Sequence, residues 1–110
     1  MISKLINKKC IPCESEDGSL DKVQIMNLLK EVQDWKLSDN EIKIEKNFEF
    51  ENFKEALDFL NKVGEIAEEE GHHPDMELFN WNKVRISLST HSVGGLSEND
   101  FILATKVDRL

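Results

Sequence analysis

Long apolar runs, cysteine and basic charge are all scarce in these 110 residues, and each scarcity removes a class of protein. No segment has the unbroken apolar length that a bilayer-spanning helix requires. The start, Met1-Ile2-Ser3-Lys4-Leu5-Ile6-Asn7-Lys8-Lys9, has no apolar core of signal-peptide length, so the expected location is the cytoplasm. Lysine and arginine number 14 against 22 acidic residues, giving a net charge of -8 that repels phosphate backbones and anionic lipid. Neither nucleic acid nor a membrane is an expected partner. Cysteine occurs twice, as Cys10-Ile11-Pro12-Cys13. A redox CxxC belongs beside a βαβ pattern and a structural zinc needs four ligands; the chain offers neither that pattern nor a second Cys/His pair at finger spacing. The pair reads as a free dithiol in an N-terminal arm over residues 1–18.

What is present fits one globular domain over residues 1–110. Hydrophobic residues make up 39% and charged residues 33%, too apolar a balance for disorder, and the length suffices to bury a core without staples. Ser19 or Asp21 can cap a first helix bearing Ile25, Leu28, Leu29 and Val32 at i, i+3, i+4 and i+7. From Ile42 to Phe50 the pattern alternates, with Ile42, Ile44, Phe48 and Phe50 on one face of a strand. Asn52 with Glu55 resembles a capping box, and Phe53, Ala56, Leu57, Leu60, Val63 and Ala67 keep helical spacing. That helix is expected to run to Glu70, since Gly71 can close it in the left-handed region and Pro74 cannot continue it.

Beyond it, Met76 to Trp81 reads as a strand, with Asn82-Lys83 turning into a second that carries Val84, Ile86, Leu88 and Thr90 on one face. Arg85, Ser87, Ser89 and His91 take the other parity, so His91 projects from the less apolar side. Gly94-Gly95 breaks the chain before a last helix that Ser97 and Asp100 can cap. The predicted class is α+β: a four-stranded antiparallel sheet, order α-β-β-α-β-β-α, with three helices on one face.

All three histidines, His72, His73 and His91, bracket the proposed hairpin, and imidazole exchanges protons near neutral pH. With Glu68 they could also ligate zinc or iron. Adjacent residues rarely aim two rings at one ion, however, and the helical i, i+4 spacing is offered only by Glu68 and His72, across Gly71. No metal or other cofactor is expected.

The run Glu68-Glu69-Glu70-Gly71-His72-His73-Pro74, then Trp81, then Leu88-Ser89-Thr90-His91, then Asp100 is similar to the signature of the pterin-4a-carbinolamine dehydratase family. The resemblance extends over about residues 19 to 108, taking in Trp35, the stretch Phe48 to Phe53 and the final helix. It implies a dehydratase that removes water from a 4a-hydroxytetrahydropterin to give a quinonoid dihydropterin, supporting tetrahydrobiopterin recycling without a metal. His72 and His91 are implied as acid and base, His73 as a group at the pterin ring, and Glu68 as a support for His72. Gly71, Pro74, Ser89, Thr90, Trp35 and Asp100 are implied around the ligand, although Ser97 capping also accounts for Asp100. Animal members carry an acidic residue where this chain has Gly71. The resemblance further implies a homo-dimer or homo-tetramer, and a pathway partner such as a pterin-dependent aromatic amino-acid hydroxylase. The competing reading is a protein-interaction module, a dimerization cofactor for a transcription factor, which would have no physical need of three convergent histidines.

Overall fold

The computed structural model describes residues 7–8 and 20–110. Cys10, Cys13, Ser19 and the boundary of the N-terminal arm lie outside the described residues. Asp21 accepts the Gln24 N–H at 2.8 Å and Gln24 returns its side chain to the Asp21 N–H at 2.9 Å, a reciprocal cap that starts α1 (Lys22–Leu29). Ile25 of the expected stripe is buried, and so is Val32, which lies past the helix end.

A short β1 (Lys36–Leu37) then folds back into β2 (Ile44–Glu49). The strand expected from Ile42 to Phe50 is thus shorter at both ends. The Ser38 N–H donates to the Lys43 carbonyl and the Ser38 carbonyl accepts the Glu41 N–H, which closes a turn with Glu41 at a φ of 60° and leaves Ile42 exposed. Lys46 interrupts the apolar face between Ile44 and Phe48. Its ammonium donates to Asp108 at 2.9 Å and to the Gln33 carbonyl at 3.1 Å, so the charge is met at the rim of the core.

Asn52 accepts the Glu55 N–H at 2.8 Å and starts α2 (Phe53–Glu70), but the Glu55 carboxylate accepts from Glu51 at 3.3 Å instead of returning to the cap. The anticipated capping box is therefore one-sided. The buried stripe is Ala56, Phe59, Val63 and Ala67, while Phe53 and Leu57, expected on the core face, are exposed on a second apolar flank. Two apolar rows overlap on this helix, and only one meets the sheet. Its end is closed by Gly71 at a φ of 67°: the Gly71 N–H reaches back to the Glu68 carbonyl and the His72 N–H to that of Ala67. This Schellman arrangement anchors the backbone of His72 directly to the helix.

Strands β3 (Asp75–Phe79) and β4 (Lys83–Leu88) pair antiparallel, and β4 also pairs with β2, giving the order β1-β2-β4-β3. The turn is made by residues 80–82, with Asn80 and Trp81 at φ of 47° and 60°, not by Asn82-Lys83. Trp81 accordingly stands exposed at the turn instead of closing the strand. Asn82 fastens the turn to the neighbouring chain, its amide donating to the Phe50 carbonyl at 2.8 Å. Regular pairing in β4 stops at Leu88, and Thr90, expected to prolong the strand, forms an isolated bridge with Gly95.

α3 (Glu98–Val107) is buried almost all round, which marks a helix inside the core. Phe101, Ile102, Leu103 and Val107 pack with Ile44, Val84, Ile86 and Leu88 from the inner face of the sheet. The antiparallel four-stranded sheet, three helices and their order agree with the predicted class. Among the described residues no helix is long and apolar enough to cross a membrane.

Because a Cβ at Gly71 would meet open space, the cost of a side chain there is conformational. Gly71→Ala is expected to lower the unfolding free energy by about 1–2 kcal/mol, the penalty of a left-handed L-residue, and Gly71→Asn by less; urea denaturation of the three proteins checks the ranking.

Candidate active site

The three histidines follow different elements. His72 and His73 sit on the three-residue link between Gly71 and β3, while His91 opens a 3-10 turn, His91–Val93, after Thr90. Adjacent side chains on an extended link point to opposite sides, and here they find different partners. The His72 Nε2 lies 2.6 Å from Oδ1 of Asp100, with the imidazole 12% and the carboxylate 0% exposed. The His73 Nε2 lies 2.8 Å from Oε1 of Glu68, with side chains 65% and 81% exposed. The first contact is a buried anchor; the second is a surface pair of the kind that contributes little.

Glu68 was expected to support His72, yet it pairs with His73, because Gly71 reverses the chain and carries His72 past the helix end toward α3. The carboxylate that does support His72 is Asp100. Its second oxygen accepts the Thr90 hydroxyl at 2.9 Å and the Ser97 N–H at 3.0 Å, and Thr90 Oγ1 lies 2.7 Å from Ser97 Oγ. Asp100 therefore does two jobs at once. It is the third residue of α3, returning its side chain to the cap residue where the helix dipole favours a negative charge, and it ties the His72 link to the end of β4.

Among the described residues every buried side-chain nitrogen and oxygen has a hydrogen-bond partner. No group of three or more His, Cys, Asp or Glu side chains among them is placed to hold one metal ion. The His91 side chain is exposed, one residue after the buried Thr90. The carboxylate thus gathers His72 and Thr90 to one point, and His91 is the residue that follows Thr90 in the chain. A cavity of about 680 Å³ lined by Asp34, Lys36, Glu45, Lys46, Asn47 and Arg85 contains none of these residues.

A sequence model described as Pterin 4 alpha carbinolamine dehydratase matches residues 18–110. The chain belongs to that family. A protein of Alkaliphilus metalliredigens whose name assigns it there is 46% identical over 109 residues, covering 98% of this chain and 96% of that one. Pterin-4-alpha-carbinolamine dehydratase 2, mitochondrial, of Arabidopsis thaliana is 43% identical over 112 residues, covering 99% of this chain and 60% of its own. Among solved structures, a transcriptional coactivator/pterin dehydratase from Brucella melitensis superposes with a TM-score of 0.78 at 28% identity, over 84% of this chain and 97% of that one.

For a member of the dehydratase family, the other residues implied at the ligand divide into two groups. Gly71, Pro74 and Ser89 border the His72 link and the approach to Thr90, with Pro74 and Ser89 half-buried. Trp35 belongs elsewhere. Its ring is buried edge-on against Phe48, and its indole N–H donates to Asp108 at 3.0 Å. Asp108 caps the far end of α3, eight residues and roughly 12 Å along the helix from Asp100, so Trp35 serves the core there. Ser97 belongs to the cluster as well, although the Ser97 and Asp100 spacing in sequence is fully explained by a helix cap.

Removing the Asp100 carboxylate strands several donors in a place that water does not reach. Asp100→Ala is expected to cost roughly 3–5 kcal/mol of folding stability, the range for breaking a buried pair on one side, whereas Glu68→Ala should cost less than about 0.5 kcal/mol as a surface change. Paired urea titrations check both.

Proposed function

We propose that this chain dehydrates a 4a-hydroxytetrahydropterin to the quinonoid dihydropterin by general acid–base catalysis, with His72 and His91 as the proton-transfer groups. Family membership supports the reaction class. The observation that carries the catalytic reading is the shared Asp100 carboxylate, which holds His72 through Nε2 and Thr90 through its hydroxyl.

A carboxylate offers acceptors only, so the proton between Nε2 and Oδ1 comes from the imidazole. That leaves Nδ1 of His72 as the ring nitrogen available for exchange. In the reaction the C4a–O bond breaks, the departing hydroxyl takes a proton to become water, N5 gives up its proton, and a C4a–N5 double bond forms. One proton is delivered and one removed, so the pair of imidazoles ends the cycle with its protons redistributed and none lost. Either histidine can begin as the acid.

His73, on the solvent side of the same link, is read as a group at the rim of the pterin, with Gly71, Pro74, Ser89 and the Thr90 backbone along its edges. Homo-oligomer formation belongs to the same reading. Support for it comes from Phe53 and Leu57 exposed on α2 and Met76 exposed on the edge strand β3. Tetrahydrobiopterin recycling beside a pterin-dependent hydroxylase is the role that such a dehydratase would fill.

The test is turnover of synthetic 4a-hydroxytetrahydropterin. The protein is expected to accelerate dehydration well above buffer, and His72→Ala and His91→Ala each to lower kcat/KM by about 10²-fold or more, the usual contribution of a positioned acid or base. Dehydration no faster than in buffer alone would remove the enzymatic reading.

A further inference from the structure

The hydroxyls of Thr90 and Ser97 are both buried, and neither exchanges protons with a substrate in the scheme above. Their hydrogen bonds form a chain whose direction can be worked out. The Thr90 hydroxyl donates to Oδ2 of Asp100 at 2.9 Å, and a hydroxyl has one proton to give. The 2.7 Å contact between Thr90 Oγ1 and Ser97 Oγ must then be supplied by the Ser97 hydroxyl. The Ser97 N–H donates to the same Oδ2 at 3.0 Å. Two donors therefore converge on Oδ2, and Oδ1 is the oxygen turned to His72 at 2.6 Å.

We infer that Thr90 and Ser97 are positioning residues: by holding Oδ2, they fix the carboxylate plane so that Oδ1 binds the Nε2–H tautomer of His72 and keeps Nδ1 free. The inference rests on the case of that scheme in which His72 begins as the neutral base and His91 as the acid, and it adds which residues set the tautomer of His72. The Schellman closure fixes the His72 backbone from one side, and the hydroxyl chain fixes its partner from the other. Without those donors the buried carboxylate is free to rotate, since only His72 would direct it. The ring could then adopt the opposite tautomer, with its proton on the nitrogen meant to receive one. A ring in the wrong tautomer cannot serve as base however well it is placed.

Two readouts separate this from a merely structural role. One is the split between kcat and KM; the other is the nitrogen chemical shifts of the His72 ring in ¹⁵N-labelled protein, which report the tautomer without any substrate. Thr90→Val keeps the shape and removes the hydroxyl. It is expected to lower kcat by about 10-fold or more, the low end of the loss when the partner that orients a metal-ligating histidine is removed, with KM little changed and the His72 signals moved toward a mixture of tautomers. Thr90→Ser, which keeps the hydroxyl, should restore both.

Ser97→Ala retains the N–H bond to Asp100 and is the milder variant, read in the same way if Thr90→Val does not fold. Unchanged kcat together with unchanged His72 signals, in whichever of these variants folds, overturns the inference while leaving the dehydratase reading intact. If the wild-type protein itself fails to turn over the pterin, the reading of function falls, and the tautomer shift alone then decides whether Thr90 and Ser97 direct the ring.

Discussion

A carboxylate that water does not reach must draw its hydrogen-bond donors from the protein, and Asp100 draws them from three stretches of chain. His72 comes from the link after α2, Thr90 from beyond the end of β4, and Ser97 from the start of α3. Desolvating such a group costs several kcal/mol if it is left unmet. The requirement therefore dictates more than one contact: in the folded chain these three stretches meet where α3 enters the core. The second tie between α2 and α3, Glu70 to Lys106 at 3.2 Å, acts farther along the same helix and is also largely shielded from solvent. Between them the two links hold the end of α2 at two points of α3, which makes the position of His72 a consequence of helix packing.

The adjacent histidine pair shows how one local event divides two chemically equal side chains. Gly71 ends α2 in the left-handed region, and the next backbone N–H is captured by Ala67. From that fixed point the extended link presents His72 to the core and His73 to solvent. The first ring acquires a buried partner and one committed nitrogen. The second keeps an exposed carboxylate neighbour. A shared metal would need both rings to converge, and this backbone separates them.

Much of the architecture was legible because it is written in local patterns. The Gly71 stop and the alternation of Val84, Ile86 and Leu88 act within a few residues and appear as read, Asp21 is the cap of the two candidates that the described residues include, and Asn52 caps α2 through one half of its expected box. The misreadings arose where two local explanations competed. Phe53 and Leu57 have helical spacing, but they belong to a second apolar row on α2. Trp81 looks like a strand residue, yet Asn80 and Trp81 together make the turn. In the candidate site, Glu68 was paired with His72 because one helical turn separates them, whereas the actual partner lies 28 residues away in sequence. Periodicity has no information about a contact of that span. Asp100 was equally hard to read, since helix capping accounts for an acid at that position and conceals its second role.

That double role also explains how a polar cluster can exist inside so small a core. A buried carboxylate is usually a liability, but at the first turn of a helix the exposed end of the backbone ladder already needs an acceptor. Asp100 supplies it, so part of its desolvation is offset by an N–H that would otherwise lack a partner. The remaining acceptor capacity is then available for Thr90 and His72. Placing the acid in the middle of α3 would forgo that compensation, because interior N–H groups are spent on the helix itself. The site is consequently confined to the ends of elements, where α2 stops, β4 loses its pairing and α3 begins. There the backbone still has hydrogen bonds to give, and Leu88 and Phe101 belong to the apolar core behind it.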